Sequence, residues 1–437
     1  MSASAHNQIA NYLVSGEAGV PRKWSSNTIT INYAGVDSSV HWMVQLALDT
    51  WESVTGIEFA WTNNASSANI RFDDNDPSGA YSSYRYYIEP NQHRMFDSIV
   101  NIPTNWINRY GNGIDTYSFQ TYLHEIGHAI GLSHPGPYNG AGVTFGTHAI
   151  FPNDSWQASV MSYFSQGENP NVNASNALVI TPMIADVLAM WELYGKPNDL
   201  RTSNTTYGVG SNAGGVYDQI ASLGYRVAFN IVDDGGWDII NFANDTRNQY
   251  VNLNAETYSN VYGLIGNMAI MRDTIIEQYI AGSGNDTIIG NTAQNTISGN
   301  GGNDTIRSSS NGSNNNKIFG GSGNDVIHVA NGQGEDAVFG DAGNDIAIVT
   351  NNSGSFSGGS GTDTVRFISG LEKFLFLDNG GEYEFLNVVT RQTFTVNNDV
   401  ELFQFLNGAY GYNLAQLALL CVLKDRASCL YGCDLCS

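Results

Sequence analysis

The sequence predicts an α+β head followed by an all-β domain built as a parallel roll. Three observations carry that expectation. Up to about residue 200, apolar residues at helical spacing alternate with short β-type runs. From Ala281 to Val365 a glycine- and aspartate-rich nonapeptide recurs. Between them the segment Tyr194-Gly-Lys-Pro-Asn-Asp199 reads as a linker. The expected domains are therefore residues 1–200, 201–410 and a cysteine-containing tail at 411–437.

In the head, Val40, Met43, Val44, Leu46, Ala47 and Trp51 mark a first helix, and Ile29–Tyr33, Ile57–Trp61 and Ile70–Phe72 read as strands. A second helix is expected over about Tyr117–Gly131, capped by Asp115 or Ser118, and a third over about Pro182–Leu193. Ser98–Pro103 reads either as an edge strand beside a cleft, open to pairing with an extended substrate, or as an ordinary buried strand.

The chain of 437 residues carries 41 acidic against 18 basic side chains, and 41 − 18 gives a formal charge of −23. A duplex-binding surface needs clustered Lys and Arg, so nucleic acid is excluded as a partner. Divalent cations suit so many carboxylates, because calcium takes six to eight oxygen ligands. No Sec-type signal and no membrane span is expected, since the longest apolar run is Leu417–Leu423. All four cysteines, Cys421, Cys429, Cys433 and Cys436, fall in the tail. Their spacing is compatible with a small zinc site or with a terminal tail of no fixed structure.

The sharpest motif is His124-Glu-Ile-Gly-His128-Ala-Ile-Gly131-Leu-Ser-His134. On a helix, His124 and His128 present two imidazoles on one face, the spacing zinc requires, with Glu125 beside them. Gly131 lets the helix end in a left-handed turn, so that His134 supplies a third nitrogen. Three neutral ligands leave one zinc ion its +2 charge and an open position for water, whose proton Glu125 can take. The extended HExxHxxGxxH form is the metzincin signature, and Met161 in Ser159-Val-Met-Ser-Tyr-Phe164 is the Met-turn methionine. Tyr163 then lies where its phenol can reach the metal or a developing oxyanion. His41, His93 and His148 carry no motif and are read as surface or core residues.

Beyond the linker the composition shifts. Tyr279–Arg366 holds 18 glycines in 88 residues, eight acidic residues and three basic ones. Asp286, Asn295 and Asp304 are nine residues apart, as are Asn316 and Asp325, and Asp336 and Asp345. Each unit approximates Gly-Gly-x-Gly-x-Asp-x-apolar-x, the calcium-binding β-roll repeat. Six residues make a turn whose glycines allow positive φ and whose carbonyls and carboxylate face inward; a short strand then buries one apolar side chain. Calcium is expected between turns on alternate sides, and without it the roll should be largely unfolded.

With these residues in view, the chain resembles the serralysins, secreted bacterial metzincin endopeptidases with a C-terminal RTX β-roll. The resemblance spans roughly residues 6–366. It includes Ala47-Leu-Asp-Thr-Trp51, Ser162-Tyr163, Ile184-Ala-Asp-Val and Leu193-Tyr-Gly195. It implies an α+β metzincin catalytic domain that hydrolyses internal peptide bonds of proteins with broad specificity. His124, His128 and His134 would bind zinc, Glu125 would be the general base, and Tyr163 a fifth ligand that swings away to stabilise the oxyanion.

The resemblance also implies several structural calcium ions. One site would draw on Arg201, Ser203, Thr205, Asp233, Gly235 and Asp238. In the roll, Gly282, Gly284 and Asp286 would pair with Gly299, Gly301 and Asp304. Asp341, Gly343 and Asp345 would pair with Gly358, Ser360 and Asp363, and the same reading takes in Gly321, Gly323, Asp325, Gly340 and Ala342. Asn295 stands where the repeat usually has Asp, which removes a charge there.

The implied partners are protein and peptide substrates and a proteinaceous inhibitor, with the chain a monomer. The implied location is extracellular, reached through a one-step exporter without an N-terminal signal peptide. The chain departs from the family at its end, where an acidic residue followed by apolar ones gives way to the cysteine tail, and in an abbreviated sandwich after Phe367. The rival reading is a calcium-dependent binding or surface protein with a dead head. That reading needs a lost ligand or base, and every expected one is present.

Overall fold

The computed structural model describes residues 3–308, 315–329, 334–350, 353–406 and 410–417. The four tail cysteines lie outside the described residues. The chain divides into two compact units, Met1–Gly236 with Ala255–Ile275, and Trp237–Asn254 with Ile276–Ser437.

The first unit is built on a six-stranded sheet of β1 (Arg22–Lys23), β2 (Thr28–Gly35), β3 (Glu58–Trp61), β4 (Ile70–Asp73), β5 (Tyr81–Tyr87) and β6 (His93–Asn101). The order is β1-β6-β4-β2-β3, all parallel, with β5 antiparallel on β6. Ser98–Asn101 thus belongs to an internal strand flanked by β4 and β5, which settles it as ordinary buried strand. On this side the sheet ends at β5, whose polar sequence Tyr81-Ser-Ser-Tyr-Arg-Tyr-Tyr87 gave no alternating signal.

Helices α1 (Ala3–Ser15), α2 (His41–Glu52), α3 (Thr104–Tyr110), α4 (Tyr117–Ala129), α5 (Phe145–His148) and α6 (Ile184–Tyr194) complete this unit. In α2 the buried stripe is Met43, Val44, Ala47, Leu48 and Trp51; Leu46 lies off it by the 3.6-residue period. Residues beyond the expected linker also fold here: Val227–Ile231 pairs with Leu178–Val179 and Met268–Ile270 in a four-stranded sheet. All five side chains of Val227–Ile231 are buried, so this stretch joins an apolar core instead of the roll.

The second unit is the roll. Parallel strands at Gln278–Ile280, Thr296–Ser298, Lys317–Ser322, Glu335–Ala342 and Ser353–Ser357 stack on one side. Those at Thr287–Ile289, Thr305–Arg307, Val326–Val329, Ile346–Val349 and Thr364–Phe367 stack on the other. The register aligns two buried columns, Tyr279-Ile297-Ile318-Val338-Phe356 and Ile288-Ile306-Ile327-Ala347-Val365. Each large member contributes about 1.5–3 kcal/mol. After Phe367 antiparallel strands close the roll's end, where Phe367 lies 5.3 Å from Phe405, 4.8 Å from Phe385 and 4.7 Å from Phe374 between ring centroids.

Candidate metal centre and calcium turns

Helix α4 begins at Tyr117 with Thr116 at the cap position, so neither Asp115 nor Ser118 serves as the cap, and no side chain closes that end. It ends at Ala129, where Gly131 takes φ +115° and Leu132 N–H donates to Gly127 O at 2.9 Å. A Cβ at Gly131 would overlap the Arg22 carbonyl, so only glycine lets the chain reverse here and bring His134 back. Gly131→Ala should therefore lower stability by about 1–3 kcal/mol and weaken metal binding. Thermal unfolding with and without zinc checks this; an unchanged melting temperature would contradict it.

The three histidines converge. Nε2 of His134 lies 2.9 Å from Nε2 of His128 and 3.3 Å from Nε2 of His124. Each Nδ1 meets a carbonyl: His124 that of Val160 at 2.9 Å, His128 that of Leu132 at 2.8 Å, His134 that of Tyr138 at 2.8 Å. A carbonyl only accepts, so each Nδ1 carries the proton and each Nε2 turns a lone pair to the common centre. Three lone pairs this close repel unless a cation sits among them. Protonation is also disfavoured, because burial pushes His124 down to about 4 and His134 to about 3, and lowers His128 well below its ordinary value. Neutral imidazoles converging at this spacing fit zinc, and among the described residues they are the one set of three or more His, Cys, Asp or Glu side chains whose ligand atoms all gather within 4.8 Å.

Met161 forms the floor. It is fully buried, and a Cβ at Gly127 would overlap its Sδ, so the bare helix surface at Gly127 is what admits it. Asp186, at the start of α6, ties this turn down. Its Oδ1 accepts from Ser159 Oγ at 2.6 Å, and its Oδ2 accepts from the N–H of Val160 at 2.7 Å and of Met183 at 2.8 Å. The same Val160 supplies the carbonyl that orients His124. Asp154 plays a parallel part: Ser162 Oγ donates to it at 2.6 Å and Tyr138 OH at 3.0 Å, and the Tyr138 carbonyl holds His134.

Glu125 is 7% exposed and lines the cleft with the histidines. Burial pushes its carboxyl up to about 8, opposed by a hydrogen bond from the Ser82 backbone on β5. Tyr163 stacks edge-on against His134, ring centroids 4.4 Å apart, and its hydroxyl donates to Asn139 Oδ1 at 3.3 Å. Asn139, Asp154 and Tyr138 had no sequence signal. Beside Glu125 opens a recess of about 270 Å³ walled by Trp106, Tyr117, Val143 and Trp156, with Gln120 and Thr121 as polar lining.

The expected calcium residues fall into three groups. In the first unit, Thr205 Oγ1 donates to Ser203 O at 2.9 Å, and Gly235 N–H donates to Asp233 Oδ1 at 3.1 Å. The two loops touch, since a Cβ at Gly236 would lie 2.8 Å from Ser203 O. Arg201 takes φ +50°, and its guanidinium is used structurally, donating to Ser53 O and Val232 O. Asp238 lies in the second unit, its N–H donating to Glu277 Oε2 at 2.7 Å.

In the roll, Asp286, Asp304, Asp325, Asp345 and Asp363 form one buried column. Each Oδ1 accepts an N–H from the turn before, at 2.7–2.8 Å. Each Oδ2 is buried with no hydrogen-bond donor. Gly299, Gly320, Gly340 and Gly358 leave bare backbone against those oxygens, and Gly321, Gly323 and Gly343 take positive φ. Gly282, Gly284, Gly301, Ala342 and Ser360 lie in the same turns, with Gly301 bridged to Ser322 and Ala342 to Ser360. Asp341 takes φ +71°; its side chain is exposed and its carbonyl accepts from Ser360 N–H. Orphaned buried carboxylate oxygens are what a hard dication satisfies, so the column fits calcium.

The helix, the reversing glycine and the buried methionine are arranged as the metzincin pattern calls for. Comparison with known proteins agrees. Residues 98–187 match the Metallo-peptidase family M12B Reprolysin-like, residues 197–318 the Peptidase M10 serralysin C terminal, and residues 310–347 the RTX calcium-binding nonapeptide repeat. Metallopeptidase AprA of Pseudomonas marginalis is 34% identical over 62% of this chain and 60% of its own. Serralysin of Photorhabdus luminescens is 34% identical over 58% and 52%, and Serralysin C of Dickeya chrysanthemi 38% identical over 40% and 37%. The chain thus aligns with 60% or less of the length of each of these relatives. These matches bear out the serralysin resemblance read from the sequence.

Proposed function

We propose that the chain is a zinc endopeptidase of serralysin type that cuts internal peptide bonds of proteins with broad specificity. The observation that carries this is the convergence of three neutral imidazole nitrogens beside a buried glutamate at an open sheet edge. Zinc, held by His124, His128 and His134, would supply the Lewis acid that polarises a substrate carbonyl and acidifies water. Glu125 takes the proton of the attacking water on its carboxylate and returns it to the leaving amine. Tyr163 leaves Asn139 and donates its phenolic hydrogen bond to the oxygen that gains negative charge. An extended substrate adds to the free edge of β5 through its own backbone, which explains tolerance of sequence, while the recess between Trp106 and Trp156 takes one apolar or aromatic side chain.

The stacked carboxylates favour an extracellular life. Modules whose calcium affinity lies near 10⁻⁴–10⁻³ M are loaded where calcium is millimolar, outside the cell. Among the described residues no helix is long and apolar enough to cross a membrane. Export in one step would let the roll fold on meeting calcium. One chain supplies the whole histidine cluster, so a monomer suffices, and a proteinaceous inhibitor would occupy the same cleft as substrate.

Mass spectrometry of casein after incubation with the protein, zinc and calcium tests the reading. Fragments produced by internal cuts are expected. Intact casein, with zinc bound at the histidines, would instead favour a calcium-dependent binding protein.

A further inference from the structure

Opposite the column of orphaned carboxylates, the roll has a second edge that is chemically different. Its turns carry Asn295, Asn316 and Asp336 at the positions that the first edge gives to aspartate, and Gly354 comes next in register. The backbone ladder is the same: Asn295 N–H donates to Asn316 Oδ1 at 2.8 Å, and Asn316 N–H to Asp336 Oδ1 at 2.9 Å. The remaining atoms are not orphaned. Asn295 Nδ2 donates to Ile276 O at 3.1 Å and Asn291 Oδ1 at 3.0 Å, and Asn316 Nδ2 donates to Asp336 Oδ1 at 2.9 Å. Asn291 Nδ2 donates in turn to Ile276 O at 2.7 Å and Leu253 O at 3.3 Å.

From Gly299 on, the first-edge turns hold left-handed residues at Asn300, Gly302, Gly321, Gly323, Asp341, Gly343, Gly359 and Gly361. The first-edge turn at 281–286 and the second-edge turn at 290–295 hold none, so it is the side chains that tell the two edges apart. A carboxamide donates two hydrogens, whereas calcium needs oxygen lone pairs that remain free. Along this stretch the lone pairs are already taken.

We propose that calcium is held along the aspartate edge, in the intervals between Asp286, Asp304, Asp325, Asp345 and Asp363, and not at the asparagine turn Asn291–Asn295 of the opposite edge. Among the described residues of that edge, Asn291, Asn295 and Asn316 form a carboxamide ladder ending on Asp336 that needs no ion. The –NH₂ groups of Asn295 and Asn316 occupy oxygens that a cation would otherwise coordinate, so in the folded roll these positions are satisfied without an ion. The alternation of calcium sites expected from the repeat is thus broken where asparagine replaces aspartate. The inference concerns the roll alone and stands whether or not the head is a peptidase.

Calcium counting on the purified full chain tests it, with the metal measured by emission spectroscopy after dialysis against calcium. Asp304 borders two intervals, those toward Asp286 and Asp325, so Asp304→Asn should lose one or two ions per chain. Asn295→Ala and Asn316→Ala should keep the wild-type count while lowering the melting temperature. Long-wavelength anomalous diffraction from crystals grown in calcium gives a second readout that does not depend on any variant folding. Peaks confined to the aspartate intervals are expected. A peak between Asn295 and Asn316 or between Asn316 and Asp336, or a lost ion in either asparagine variant, would overturn the proposal.

Discussion

Replacing Glu125 by Ala should lower casein turnover by about 10²–10⁴-fold while the protein keeps its zinc, the usual worth of a positioned general base. The reason is geometric. Glu125 follows His124 on α4, is packed among buried neighbours, and is held on one side by the Ser82 backbone. Its side chain makes no contact with the three Nδ1 atoms, whose partners are the carbonyls of Val160, Leu132 and Tyr138. The metal ligands therefore stay oriented when the carboxylate is removed. Replacing His128 should behave differently, losing zinc and activity together. Zinc analysis beside turnover separates the two cases, and a Glu125→Ala protein with full zinc and near wild-type turnover would sink the assignment of the base.

Chelating calcium should unfold much of the second unit at pH 8 and do so less at pH 5.5. Five carboxylates stack with one oxygen each lacking a donor, and burial, followed by repulsion from neighbouring carboxylates, raises their affinity for protons. Asp286 and Asp345 are pushed up to about 7 and Asp304 to about 8. A carboxyl with a raised folded pKa favours the fold while protonated, so its contribution is present below the ordinary value near 3.8 and is lost as pH rises through about 7–8. Without calcium, then, acid protects the roll and alkali melts it. With calcium the order reverses, because the ion binds the deprotonated form. Far-ultraviolet circular dichroism at both pH values, with EGTA and with calcium, reads this directly; a roll equally folded in EGTA at pH 5.5 and pH 8 would count against it.

The parts of the site that the sequence disclosed are those fixed by local geometry. His124 and His128 are one turn apart on a helix, and Gly131 announces the reversal that returns His134, so three converging imidazoles follow from eleven residues. The carboxylate column was equally open to reading, since the repeat has a period of nine, two repeats make one coil, and the strands bury one side chain in every turn. What escaped is what depends on distant partners. Asn139, which takes the Tyr163 hydroxyl, sits in a loop 24 residues earlier with no periodicity to mark it. Asp186 was visible as part of a family-like segment, but its bonds to Ser159 and Val160 span 27 and 26 residues.

The cleft edge escaped for a related reason. β5 is built of Tyr, Ser and Arg with no side chain fully buried, so it has no apolar alternation to mark it as a strand. Residues 201–236 follow a linker-like segment and precede the first nonapeptide, so pattern alone drew them toward the roll. Burial of Val227–Ile231 in the first unit decides otherwise. Asparagine and aspartate also look interchangeable to a periodicity. Only the hydrogen bonds show that one donates where the other waits for a cation.

The claim at the centre of this account is that His124, His128 and His134 hold the ion on which peptide hydrolysis depends. Stripping zinc with a chelator selective over calcium, then titrating it back against casein cleavage, tests that most directly. The account predicts no cleavage by the stripped protein and recovery that saturates at about one zinc per chain, as a single three-histidine site requires. Full cleavage by the stripped protein, or none at saturating zinc with calcium present, would contradict it.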